Sequence, residues 1–165
     1  MILFRHAQIY DGTGQKPFLG DVLVRNDRIA EVGQNLEVPE DTEILEADGK
    51  LLCPGFIDIH HHADVQPLLN SKSGCTSAWH HNGGFPHPRL FGCVSSLLHE
   101  YAFERHVVMP EDSIYKMAFA PAKQFSFTDR GKIEKGCKAN LLVIDPEVFT
   151  DNADFSGRSE FASSL

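Results

Sequence analysis

The first fifty or so residues alternate apolar and polar positions over short stretches. Ile2, Phe4 and Ile9 stand among polar neighbours before Gly12 and Gly14 break the segment. Asp21 to Arg25 and Arg28 to Val32 each alternate with a period of two, the repeat of a half-buried strand. Asn26 and Asp27 between them suit a hairpin turn. Glu43 to Ala47 is a further strand, closed by the turn Asp48-Gly49-Lys50. An apolar strand, Phe56 to Ile59, opens the next zone. From Leu90 onward the period changes. Val94, Leu97, Leu98 and Tyr101 recur at i, i+3, i+4 and i+7, a helical stripe. A second helix is expected from Pro110, with Glu111 and Asp112 in its first turn and Ile114, Met117 and Ala118 on its apolar face. Pro121 is expected to end or kink it. Strands then return at Lys132 to Glu134 and Leu141 to Ile144, and a Ser-rich tail follows Phe155. The order strands, helices, strands predicts that the two ends pair into one sheet system.

Composition adds limits. The chain has 165 residues, 42% hydrophobic and 23% charged, enough for one domain with a core. A net charge of -8 with no Lys/Arg-rich stretch argues against nucleic acid or an anionic membrane as partner. No apolar run approaches the roughly 20 residues of a membrane helix. Met1 to Gly14 lacks the apolar core of a signal peptide. Cys53, Cys75, Cys93 and Cys137 form no Cys-x-x-Cys pair, so reduced thiols and a cytoplasmic location are expected.

The chemistry concentrates in the middle. Six of the nine histidines fall between Gly55 and Arg89: His60, His61, His62, His80, His81 and His87. In CPGFIDIHHHAD, Cys53 to Asp64, His60 and His62 lie two apart on a strand and so face one side, with His61 on the other. Two imidazoles placed in this way can share a metal ion such as Zn²⁺. Taken alone, the pair reads more readily as surface histidines. The Pro-Gly before an apolar strand that ends in His-x-His is a more specific combination.

At this point the residues resemble a family. DGTG (Asp11 to Gly14), DVLVRNDRIAEVG (Asp21 to Gly33) and ADGKLLCPGFIDIHHHAD (Ala47 to Asp64) resemble the N-terminal segment of the amidohydrolase superfamily. HPRLFG (His87 to Gly92), KMAFAPAKQF (Lys116 to Phe125), DRGKIEKGCKANLLVIDP (Asp129 to Pro146) and TDNADF (Thr150 to Phe155) narrow the resemblance to N-acyl-D-amino-acid deacylases. It implies an α+β fold: a small β-sandwich built from both chain ends, residues 1–56 with 130–150. Residues 57–129 would be the remnant of a (β/α)8 barrel and residues 151–165 a tail. It also implies a Zn²⁺-dependent hydrolase of amide bonds, with a small N-acyl-D-amino acid as substrate. His60 and His62 would be metal ligands, and Arg89 would hold the substrate carboxylate unless it is a plain surface arginine.

The departures from the family pattern are as informative. Gly83 stands where the family has a metal-binding cysteine, and glycine offers no ligand atom. Between Phe85 and Pro86 the sequence passes from the pattern of the early barrel to that of its end. A full barrel takes about 250 residues, whereas about 30 separate Ile59 from Arg89. No catalytic residue is assigned, because the general-base aspartate and the further histidines belong to the absent part. His80 or His81 can serve as a substitute third ligand or simply as loop histidines, and Asp64 can add a carboxylate. Three readings follow: a chain of deacylase descent with little or no activity, a working hydrolase completed by oligomerisation, and a non-catalytic sandwich domain that binds a partner or is a degenerate gene product, with exposed apolar faces through which it can self-associate.

Overall fold

The computed structural model describes residues 1–57, 95 and 97–150. Six strands form one mixed sheet: β1 (Ile2–Ile9), β2 (Phe18–Arg25), β3 (Arg28–Gly33), β4 (Glu43–Glu46), β5 (Leu51–Pro54) and β6 (Leu141–Ile144). The order is β3-β2-β1-β5-β6, with β4 also on β1. β6 runs antiparallel to β5, from Leu51↔Ile144 to Pro54↔Leu141. The ends of the sequence therefore meet in one sheet, as the strand pattern predicted.

β1 changes partner along its length. Ile2 to Arg5 pair with β4, and Gln8 and Ile9 pair with β5, both in parallel. The change is made by a bulge. Opposite β2, Phe4 faces Val22 and Ala7 faces Gly20, so β1 has one residue more than its partner. His6 takes the left-handed conformation there, with φ 53°. Both of its backbone groups are nevertheless paired. Its N–H donates to Asp21 Oδ1 at 2.9 Å, and its carbonyl accepts from Gly49 N–H at 2.8 Å. Asp21 also accepts from Leu36 N–H at 2.9 Å. This carboxylate is buried but holds two amide donors, which compensates its removal from water.

Asp21 to Val24 are all buried, so β2 is covered on both faces rather than half-buried as its alternation implied. Ala7, Ile9, Val22, Val24, Ile29, Ala47 and Leu52 pack with Ile133 and Cys137 into the core cluster. Ile133 belongs to a segment expected as a strand, Lys132 to Glu134. That expectation was wrong: the segment is irregular, because its backbone bonds go outward one by one instead of into a ladder. Ile133 N–H donates to Asp11 O, Ile29 N–H to Cys137 O, and Ala139 N–H to Asp27 O, each at 2.8 Å. Arg28 reinforces the attachment, donating to Gly136 O at 2.7 Å. Beside it, a hydrogen bond from Arg130 holds the Asp129 carboxyl below its usual range, aided by the charges of Arg28 and Lys138.

Helical turns follow one another from Pro110. Helix α1 (Leu97–Glu104) is wound wide, with five-residue spacing. Then come α2 (Pro110–Ile114), α3 (Tyr115–Phe119, also wide) and α4 (Ala120–Gln124). Pro110 opens α2 as expected, and Ile114 and Ala118 are fully buried. Of the two outcomes expected of Pro121, ending or kinking the helix, the first does not occur; helix continues through Gln124. The wide turn before it explains this. Ala120 N–H reaches back five residues to Tyr115 O, so the proline falls into a new first turn where its missing N–H is tolerated. In α1, Leu98 and Ala102 are buried, whereas Tyr101, predicted on the apolar stripe, is 41% exposed. The Arg105 guanidinium lies over its ring at 5.8 Å. Val94 lies outside the described residues.

The chain divides into two compact units, Met1–Ile57 with Val108–Pro146, and Asp58–Val107 with Glu147–Leu165. The sheet and the run α2–α4 belong to the first unit, and α1 to the second.

Candidate functional site

The first candidate metal-binding histidine, His60, stands six residues after the end of β5 in the sequence, and the described structure reaches as far as Ile57 on that path. β5 ends at Pro54, and all four of its residues are buried; Phe56 and Ile57, expected to open a strand running to Ile59, are irregular, and Asp58 and Ile59 lie outside the described residues. Gly12 sits against that end. A Cβ on Gly12 would lie 2.8 Å from Pro54 Cγ and 2.5 Å from Gly131 O, and its φ is +88°, so glycine alone fits. Asp11 sets the turn, accepting from Thr13 N–H and Thr13 Oγ1, both at 2.7 Å. The role of the DGTG stretch is thus a close-packed turn supporting the exit of β5.

Beyond Pro54 the backbone is tied twice more. Gly55 N–H donates to Asn140 O at 2.7 Å, and Ile57 N–H donates to Met117 O at 2.9 Å. Gly131 packs against the same helical run, where a Cβ would come within 2.7 Å of Ala118 O. Residues from three distant parts of the sequence therefore fix the chain up to the residue before Asp58.

His60, His62 and Arg89 lie outside the described residues, as do Asp58, Asp64, His80, His81, Gly83, Cys75, Cys93 and the junction at Phe85-Pro86. Among the described residues no group of three His, Cys, Asp or Glu side chains is placed to hold a metal ion. Catalytic zinc takes about three protein ligands. The described part of the chain does not supply them.

The described thiols are not substitutes. Cys53 and Cys137 are both free and buried. Burial pushes the Cys53 thiol up to about 12, so it stays protonated near neutral pH. Burial also raises Cys137. Tyr10 is raised by burial and then by the charge of Glu111, which keeps its phenol protonated. His99 faces Glu104 at 3.5 Å, and His106 Nδ1 meets Ala102 O at 3.1 Å; both are local contacts.

Three features had no sequence signal strong enough to single them out. Asp21 looked like the polar start of an alternating strand. Ser113 is fully buried, with no partner for its Oγ among the described residues. The bond from Ile57 to Met117 joins residues 60 positions apart. No helix among the described residues is long and apolar enough to cross a membrane.

Comparison with known proteins gives partial matches. No family model matches. N-acyl-D-aspartate deacylase of Alcaligenes xylosoxydans xylosoxydans is 37% identical over 71 residues, 43% of this chain and 14% of that protein. A dihydroorotase of Aquifex aeolicus is 52% identical over 70 residues, 39% of this chain and 15% of that protein. Among solved structures, a D-aminoacylase studied for its binuclear metal centre is 32% identical, covers 48% of this chain and 17% of that chain, and has a TM-score of 0.46. The chain spans less than a fifth of the length of each. Over somewhat less than half of its own length, this chain is similar to amidohydrolases, N-acyl-D-amino-acid deacylases and D-aminoacylase among them.

Proposed function

We propose that this chain is a member by descent of the metal-dependent amidohydrolases, of the N-acyl-D-amino-acid deacylase type, and that alone it has an incomplete site and no useful turnover. The observation that carries the first half is the anchorage of the β5 exit. Gly12, Asn140 and Met117 fix the backbone immediately before the segment that bears His60 and His62. A scaffold that anchors the backbone just before a His-x-His pair is what a metal site needs. The second half rests on the short middle and on Gly83, which replaces an expected ligand.

In this reading the sheet is part of a β-sandwich, residues 57–129 are the barrel remnant, and His60 and His62 are the two ligands left for Zn²⁺. When bound in a complete site, zinc supplies a polarised carbonyl and an acidic water. No step is assigned here, because the described residues include no third ligand and no general base. Arg89 is the residue for a substrate carboxylate, as the guanidinium pairs with it in two-point fashion. The substrate class is small N-acyl-D-amino acids, and the compartment the cytoplasm.

The test is hydrolysis of N-acetyl-D-amino acids by the zinc-loaded pure protein. The expected rate is that of the buffer control. Turnover that disappears in His60→Ala would overturn the claim of an incomplete site.

A second reading, a non-catalytic domain that self-associates, is favoured by β4. Its Ile44 and Leu45 are 43% and 40% exposed although they point to opposite faces. Sedimentation as a monomer at high concentration would remove it.

A further inference from the structure

We propose that the outer edge of β4 is a docking site for an extended basic segment of another protein, which adds to the sheet as one more strand. In a strand the backbone groups of successive residues point to alternate sides. Glu43 N–H donates to Met1 O at 3.1 Å, and Ala47 N–H, just past the end of β4, donates to Arg5 O at 2.9 Å. The backbone groups of Glu43, Leu45 and Ala47 therefore face β1. Ile44 and Glu46 present theirs to the opposite side, where no strand pairs with β4 among the described residues. All four residues of β4 are exposed, so this edge is open. Two donors and two acceptors in one row are a template for strand addition.

Charge selects the occupant. From Ile29 to Gly49 the sequence has seven carboxylate side chains and no Lys or Arg. All seven are exposed. β1 brings Arg5 and His6 alongside: Arg5 Nη2 donates to Leu36 O at 3.5 Å, and His6 Nδ1 lies 3.1 Å from Glu46 Oε2. Glu43 has no ion pair among the described residues. An edge of this sign repels nucleic acid and anionic lipid. It also opposes a second copy, which would set one acidic run beside another, so the self-association considered above is the outcome to be excluded.

The order within β4 is Glu-Ile-Leu-Glu. Its complement across a strand pair is basic-apolar-apolar-basic. That order sets opposite charges against Glu43 and Glu46, and apolar side chains against Ile44 and Leu45. Ile44 and Leu45 are 43% and 40% exposed, one on each face, and both gain cover from such a strand. The pattern reads the same in both directions, so it fits a parallel or an antiparallel addition. Charged residues at a sheet edge guard against aggregation; the same charges admit a basic strand. Docking here requires neither turnover nor metal, so it is independent of whether the chain is an active hydrolase.

The experiment follows the amide signals of Ile44 and Glu46 in the full chain by NMR, during titration with the peptide acetyl-Thr-Lys-Val-Val-Lys-Thr-amide. Two further peptides are compared with it. One is the same peptide N-methylated at its central amides, which keeps the charge but cannot pair. The other is acetyl-Thr-Glu-Val-Val-Glu-Thr-amide. The unmodified basic peptide is expected to bind roughly tenfold more tightly than either. At saturation it should slow hydrogen exchange of Ile44 and Glu46 roughly threefold and leave Ala47, already held by β1, unchanged. Glu43→Lys, a change at an exposed side chain, is expected to weaken binding roughly threefold. Equal affinity for the basic peptide and its N-methylated form overturns the proposal, because charge alone then explains the contact. Binding of none of the three, or tighter binding of the acidic one, overturns it too, as does unchanged affinity in Glu43→Lys. Should that variant not fold, about 0.5 M sodium chloride takes its place, and affinity unaffected by the salt overturns the proposal. Signals of Ile44 and Glu46 that shift with the concentration of the chain alone mean that a second copy occupies the edge, and the proposal then fails.

Discussion

Asp21 shows how a single residue can set a strand. Its two oxygens take the amides of His6 and Leu36, at the bulge where β1 changes partner. Removing it strands two donors, each costing about 1–3 kcal/mol if left buried. Asp21→Ala is therefore expected to lower stability by more than about 2 kcal/mol in urea unfolding; a loss under about 0.5 kcal/mol would show that water replaces it easily. Cys53 gives a second prediction. Below pH 9 its thiol is protonated both folded and unfolded, so it adds no pH dependence. Between pH 9 and about 12 the unfolded chain loses the proton and the folded chain keeps it. Stability should thus fall as pH rises through that window, by about 1.4 kcal/mol per pH unit from this group. The Cys53→Ala chain should lack that part of the slope, and parallel curves for the two chains would contradict the assignment. Neither role was legible in sequence. A polar residue at a strand start and a lone cysteine look alike whether buried or exposed, because burial is decided by segments far away.

The elements were legible in proportion to how local their causes are. The hairpin of β2 and β3, the start at Pro110 and the strand at Leu141–Ile144 follow from period and turn residues that act on neighbours. Lys132 to Glu134 failed because alternation there reflects single attachments, with Ile133 in the core and its N–H on Asp11. Pro121 failed as a stop signal because a wide turn absorbs it, and such turns leave no pattern in a short sequence. Glycine in the first turn motif is a stricter case. Gly12→Ala meets a carbonyl at 2.5 Å in a conformation that side chains rarely adopt. It is expected to cost more than about 2 kcal/mol. Gly49→Ala, equally left-handed but in open space, should cost about 1 kcal/mol. Thermal melts of the two variants check the contrast, and equal losses would mean that close packing at Gly12 does not matter.

At the scale of the molecule, one compact unit is assembled from residues 1–57 and 108–146. β6, Ile133 and Cys137 complete a core whose other members come from the first segment. Residues 1–57 expressed alone are expected to be unfolded by circular dichroism and to gain structure when residues 108–146 are added; a folded fragment would show that the later segment is dispensable. The union of the two ends was legible from the strand order. The candidate site was legible only as His60, His62 and Arg89 in sequence, since all three lie outside the described residues. What the structure adds is an anchored backbone up to Ile57. The central claim is an anchored backbone before the His-x-His pair, with too few ligands for a catalytic metal. The most direct measurement is zinc content of the pure protein after equilibration with zinc and gel filtration. The account predicts well under one zinc per chain, with the weak binding that remains lost in His60→Ala. One zinc per chain, retained through the column and accompanied by turnover of an N-acyl-D-amino acid, would contradict it.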